Sequence, residues 1–188
     1  MDEISQRDRK RQLTMSRIHM IAQDMVQDRR PADVKVDDIA RAAAISRRTF
    51  FNYFATKEDA ILGIQQPSLS MVALEQFEDS SEPLLLRTVR LVVDIHRTVV
   101  VDGSSLQERV AIRKKHPELK SRMDACIAAS EQLVRPAIRR YASDDEVEIL
   151  LRTAGAILRY TYMKDPSLKG SNVEESVTKF LYTINKAT

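Results

Sequence analysis

The chain has 188 residues, enough for one compact domain or for a small head fused to a larger body, and its formal net charge of +3 neither demands nor excludes a nucleic-acid partner. Apolar residues make up 43% and charged residues 30%, with only four Gly and six Pro, a composition that suits a helical protein and argues against a sandwich, a barrel or a disordered tail. A single cysteine, Cys126, excludes an intramolecular disulfide, and the three scattered histidines His19, His96 and His116 assemble no zinc or iron spacing, so neither a metal nor a cofactor is expected.

The start Met-Asp-Glu-Ile is acidic and unlike a signal peptide, and no apolar run reaches membrane-spanning length, so a cytoplasmic protein with no membrane partner is expected. Arg7, Arg9, Lys10 and Arg11 then crowd together, either as a solvated end or as phosphate contacts. Leu13, Ile18, Ile21, Ala22, Met25 and Val26 recur at helical spacing and predict a first helix over 7–28, ended by Arg29-Arg30-Pro31. Val36, Ile39, Ala40 and Ala43 predict a short second helix over 36–43, with Asp37 and Asp38 suiting its N-terminal dipole. After a turn through Ala44 and Ile45, Ser46 is placed to cap a third helix over 47–54, and Thr56 to cap a fourth that ends before Pro67.

Residues 67–81 show no clean period and read as a connector or helix extension, dividing a head of 1–66 from a body of 67–188. A helix over 83–101 follows, closed by Asp102-Gly103, and Ser105 with Glu108 forms a capping box for a short helix ending near His116. Pro117 suits the first turn of a long helix over 117–141, with Pro136 as a kink. Capping boxes at Ser143 with Glu146 and at Ser171 with Glu174 open the last two helices, 144–164 and 173–186, which the Asp165-Pro166 break separates.

The chemistry concentrates in 36–57. Two short helices joined by a tight turn, with Ala42, Ala43 and Ala44 allowing close approach, have the geometry that presents the second helix to a DNA major groove. Arg47, Arg48 and Asn52 are the base-reading candidates, because arginine bonds bidentately to guanine and asparagine to adenine. Thr49, Tyr53, Lys57 and Lys35, with the amides opening the second helix, are placed to hold phosphates. Phe50 and Phe54 read as core. No nucleophile with base and orienting group, and no phosphate-cradling glycine loop, is evident, so an enzyme is not expected.

The stretch Val-Asp-Asp-Ile-Ala-Arg-Ala-Ala-Ala-Ile-Ser-Arg-Arg-Thr-Phe-Phe-Asn-Tyr-Phe-Ala-Thr-Lys-Glu resembles the DNA-binding signature of the tetracycline-repressor (TetR) family. The likeness lies in Ile-Ala-x-x-Ala, Ser-x-x-Thr, the aromatic-x-Tyr-Phe and the Lys-Glu, and covers roughly the first third of the chain. It implies an all-α protein of about nine helices whose last two form a homodimer, a repressor that leaves its double-stranded operator when a small molecule enters the body. A ligand-independent architectural DNA-binding protein with the same head is the alternative. Two positions depart from the family: Ala44 stands where glycine is common, tolerable if the turn needs no positive φ there or relaxes into a slightly different one, and Phe51 stands where tyrosine is usual, cannot donate to a phosphate, and is expected to make apolar contact with a thymine methyl or sugar or simply to pack.

In the body, Arg87, Arg90, Asp94 and Arg97 form one polar stripe and His96 falls opposite it, as a satisfied core histidine or a pocket-lining anchor. Met71, Phe77 and Met123 are core residues or the walls of a plastic cavity. Cys126 shares an apolar stripe with Leu119, Met123, Val134 and Tyr141, which favours packing over redox sensing. The segment Arg113-Lys114-Lys115-His116-Pro117-Glu118-Leu119 is similar to segments of family members from actinobacteria, some of which sense acyl-coenzyme A thioesters; a solvated basic turn is the simpler reading. The small-molecule effector's identity stays open, a hydrophobic or acyl-coenzyme-A-like molecule being one option. The helix over 144–164 carries two apolar stripes, Val147-Leu151-Ala154-Leu158-Thr161 and Ile149-Ala156-Tyr160-Met163, more than one buried face needs. One of them is expected to meet a partner, in an interface drawing on Leu151, Gly155, Tyr160, Val177, Phe180, Leu181 and Ile184 as a four-helix bundle; a helix buried centrally within one subunit is the alternative.

Overall fold

The computed structural model describes residues 6–101, 106–165, 168 and 170–187, and among them the protein is all-α, with ten α-helices and two single 3₁₀ turns. In the first part, α1 (Gln6–Met25), a 3₁₀ turn at Pro31–Asp33, α2 (Val36–Ala42), α3 (Arg47–Phe51) and α4 (Lys57–Leu62) follow the expected order with shorter third and fourth helices. Then come α5 (Met71–Asp79), α6 (Leu84–Val99), α7 (Leu106–Lys115), a 3₁₀ turn at Pro117–Leu119, α8 (Lys120–Ile138), α9 (Asp144–Lys164) and α10 (Gly170–Ala187). No described helix is long and apolar enough to cross a membrane.

The helix α5 stands where a connector or a helix extension is expected. Ser70 caps it, accepting from the Ala73 amide at 3.1 Å, and only Ala73 and Phe77, four apart, are buried. Met71 and Val72 are 72% and 61% exposed, and these outward apolar residues blur the period in the sequence. Pro117 opens a 3₁₀ turn ahead of α8 instead of the α-helix itself. The Ser143–Glu146 capping box is complete: Ser143 accepts from the Glu146 amide and Glu146 accepts from the Ser143 amide at 2.7 Å. The boxes placed at Ser105 and Ser171, and the break at Pro166, lie outside the described residues or side chains; α10 starts at Gly170, and Glu174 pairs with Arg90 at 2.6 Å.

Two compact units result, Met1–Gln66 with Val99–Cys126, and Pro67–Thr98 with Ile127–Thr188. The first is therefore larger than the 1–66 head, because α7 and its flanks fasten onto it. Gln65 donates to the Val99 carbonyl at 2.7 Å and Val101 to that of Gly63 at 3.0 Å, making a single bridge between Ile64 and Val100. The His116 Nε2 donates to the Val26 carbonyl at 2.8 Å, and Arg122 Nε to buried Asp59 at 2.6 Å. Cys126 is buried near the Gln65 carbonyl, and burial pushes its thiol pKa up, the opposite of what a redox sensor needs.

In the second unit, α9 turns one stripe inward: Val147, Leu151, Ala154, Ile157 and Thr161 are buried. The other stripe faces out, with Ile149 65%, Tyr160 39% and Met163 70% exposed. On α10, Val173 and Val177 are buried, while Leu181, Tyr182 and Ile184 are exposed. A Cβ added at Gly155 would meet nothing within 4 Å.

Candidate nucleic-acid interface

The interface begins with a core that holds a short helix rigidly. Phe50 is 0% and Phe54 2% exposed, and they stack at 6.1 Å between ring centroids, so one side of α3 is anchored in the first unit. Behind them Met15, Ile18 and Ala22 of α1 are buried with Ala60, Ile61 and Leu62 of α4. His19 shares that buried face: its Nδ1 donates to the Ala60 carbonyl at 2.7 Å, while its Nε2 is buried without a hydrogen-bond partner. Burial, helped by the Arg109 charge, holds the His19 pKa below the ordinary histidine value. Its place among Met15, Ile18 and Ala22 was the available sequence signal for this buried role.

The turn between α2 and α3 is a complete Schellman motif. Ile45 donates to the Ala40 carbonyl at 2.9 Å and Ala44 to that of Arg41 at 3.1 Å. Such a turn needs a left-handed residue after the C-cap, and Ala44 supplies it with φ 51°. The turn thus keeps the geometry that glycine adopts freely, at a steric cost on the order of 1 kcal/mol for the added Cβ. Ser46, extended at φ −76° and ψ 157°, caps α3 by accepting from the Thr49 amide at 3.0 Å. The Thr49 hydroxyl lies 2.8 Å from that of Ser46.

This frame exposes one edge of α3. Arg47, Arg48, Phe51 and Asn52 are all exposed, and Arg48 and Asn52, four apart, share a side. Arg48 makes no ion pair among the described residues. Arg47 donates to Asp37 Oδ2 at 2.9 Å, and its guanidinium lies 5.5 Å from the Phe51 ring centroid. Phe51 is 45% exposed, so it forms part of this edge and not of the core. Lys35 is exposed at the N-cap of α2. Arg11 of α1 donates to the Asn52 carbonyl at 3.4 Å and covers the Tyr53 ring at 5.3 Å, so part of the N-terminal basic run is helical and lies beside α3.

Lys57 is placed differently from the expected phosphate contact. Its Nζ donates to the Pro31 carbonyl at 2.7 Å and to that of Val34 at 2.8 Å, tying the start of α4 to the 3₁₀ turn before α2. An ammonium spent on buried-side carbonyls is a brace, and Lys57 leaves the phosphate set on that ground. The five residues expected to line a ligand pocket are also dispersed. Met123 and Cys126 belong to the first unit; Met71, Phe77 and His96 belong to the second, where Met71 is 72% exposed and His96 stacks edge-on against Tyr162 at 5.1 Å. Of the five, Phe77 lines the cavity of the second unit.

A helix-turn-helix with a buried aromatic back and an exposed basic edge, in an all-α chain, defines a protein built like the nucleic-acid-binding regulators that use this motif. Residues 25–62 match the bacterial regulatory proteins of the tetR family. The HTH-type transcriptional regulator EthR of Mycobacterium tuberculosis (strain ATCC 25618 / H37Rv) is 49% identical over 41 residues, 22% of this chain and 19% of that protein. Its namesake from Mycolicibacterium smegmatis (strain ATCC 700084 / mc(2)155) is 28% identical over 137 residues, 69% of this chain and 63% of the relative. The matches span from about a fifth to under two thirds of the length of these relatives. Residues 25–62 thus carry a DNA-binding segment like that of the tetR family, and the longer likeness to the second relative supports a regulator of that kind.

Proposed function

We propose that this protein is a transcriptional repressor that binds a pseudo-palindromic operator as a homodimer and is released by a small molecule. The observation that carries the DNA reading is the edge of Arg47, Arg48 and Asn52, exposed on a helix whose opposite side is locked by Phe50 and Phe54. Such fixed side chains recognise base edges in the major groove, while Lys35, Thr49, Tyr53 and the basic start of α1 sit where phosphates would pass. Phe51 offers apolar contact to a thymine methyl or a sugar in place of a hydroxyl bond.

The dimer is supported by the outward stripe of α9 with the exposed end of α10. Ile149, Tyr160, Met163, Leu181 and Ile184 are all more than a third exposed, apolar side chains of α9 and α10 that a partner helix pair would cover. Gly155 lies in an open helix position where it costs helix propensity and fills no need within the protomer, as expected where a second helix approaches closely. Leu151 and Val177 are buried within the protomer and support that face from behind. A cavity of about 460 Å³ in the second unit lies within the usual size of small-molecule sites and favours an effector-responsive regulator over an architectural protein. An effector acts by binding one conformation of the dimer better than the other, and the coupling equals that difference in affinity.

The test is a gel shift on a duplex selected from random sequence, comparing the wild-type chain with the double variant Arg47→Ala/Arg48→Ala, with sedimentation run in parallel. The reading expects lost DNA binding with an unchanged dimer. Unaltered affinity in the double variant sinks the assignment of α3 as the reading helix.

A further inference from the structure

The second unit carries a half-open cavity of about 460 Å³ whose apolar walls include Ala73, Phe77, Leu91, Val93 and Val173. Three arginines also line it, and two are matched. Arg90 pairs with Glu82 and with Glu174, and Arg97 pairs with Asp94 and donates to the Leu168 carbonyl. The remaining acid on the wall, Asp79, is exposed.

Arg87 stands apart from them. It is only 9% exposed, and its Nε donates to the Phe77 carbonyl at 2.7 Å. Its guanidinium lies 4.6 Å from the Phe77 ring centroid and 4.5 Å from that of Tyr141. Its Nη2 is buried with no hydrogen-bond partner, and no carboxylate pairs with it among the described residues. A buried cation left this way is costly to keep unless something supplies the missing charge and acceptor. The two ring centroids are only 5.9 Å from each other, so both rings crowd one side of the guanidinium and leave its other side for a partner such as a planar carboxylate.

We infer that this cavity binds a small monocarboxylic acid with an apolar body, its carboxylate on the nitrogen edge of Arg87 and its hydrocarbon against Phe77, Leu91 and Val93. A monoanion fits better than a phosphate, because Arg90 and Arg97 are already neutralised and a dianion would find a single uncompensated cation. The inference rests on the reading of the body as effector-binding and adds the chemistry of the effector.

Titration calorimetry of the full chain with sodium octanoate and with sodium phenylacetate, each against its methyl ester, tests it, and inorganic phosphate serves as the anion without an apolar body. At least one acid should bind tenfold or more tightly than its ester, phosphate should bind neither measurably nor competitively, and Arg87→Gln should erase the preference for acid over ester. Equal affinity for acid and ester, or no heat with either acid, overturns the inference, and this comparison needs no variant to fold. Equal binding of acid and ester would leave an effector pocket standing without anion recognition. Acid binding that depends on Arg87 but does not release DNA would uphold the site and overturn the effector reading alone.

Discussion

In the head, neighbouring residues do both jobs: Arg47, Arg48 and Asn52 form the exposed edge while Phe50 and Phe54, a position or two away, anchor it. In the second unit, by contrast, the pieces around Arg87 come from separate places, Phe77 on α5, Arg87 on α6 and Tyr141 just beyond α8. Recognition of a repeating polymer needs one rigid edge in one register, which a short capped helix supplies locally. A cavity needs walls on several sides, and only packing brings those together. The first kind of site is written in consecutive residues, the second in long-range contacts.

The largest expected effect tests how firmly α4 is held in the first unit. Asp59 has a side chain only 3% exposed and depends on Arg122, 32% exposed, for its counter-ion. Arg122→Ala should destabilise the fold by about 3–5 kcal/mol, the usual result of stranding a buried charge, measurable as a lowered urea midpoint. A loss of a few tenths would mean that water reaches Asp59 and that the brace is unimportant.

The next effect falls on the second unit. Leu181→Glu with Ile184→Glu should weaken dimerisation by roughly a hundredfold or more, since a two-fold axis counts each change twice, while the helical circular dichroism holds. Analytical ultracentrifugation at micromolar protein reads this directly; a dimer that survives would move the interface away from this face.

A subtler effect concerns His19. Its folded pKa lies below the unfolded value of about 6.5, so the unfolded chain binds the extra proton first, and its contribution to stability is present above that pH and is lost as pH falls through it. The denaturation midpoint should therefore drop between pH 7.5 and pH 5.5, and by less in His19→Gln, which keeps a donor for the Ala60 carbonyl. Parallel pH profiles for the two proteins would remove His19 from the account. The smallest effect is a gain. Ala44→Gly should stabilise the chain by up to about 1 kcal/mol, because relief of the left-handed strain at φ 51° exceeds glycine's added unfolded-state entropy. A loss on thermal melting would show that the turn relaxes around alanine without strain.

The same contrast explains what was legible in the sequence. Caps are short-range, so Ser46, Thr56 and the Ser143–Glu146 box could be placed from spacing, and the helices they open begin where expected. The two stripes of α9 were both visible, but which one turns inward depends on packing partners that no local pattern names. Lys57 looked like a phosphate contact because its partners, the carbonyls of Pro31 and Val34, are backbone groups that leave no mark in side-chain pattern. Arg87 looked like one member of a solvated stripe, and only the arrival of Phe77 and Tyr141 converts it into a buried cation. Asp59 and Arg122 lie 63 positions apart, beyond any periodicity.

The most direct measurement of the central claim is selection of duplexes from a random pool by the wild-type chain, followed by fluorescence anisotropy of the enriched sequence with wild type and Arg48→Ala. The account predicts an inverted repeat whose half-site centres are one helical turn, about 10 base pairs, or a multiple of it apart. It also predicts a loss of about 2–6 kcal/mol with Arg48→Ala, as one bidentate contact is removed from each half-site. Enrichment of no common sequence, or an enriched site bound equally well by Arg48→Ala, would contradict it.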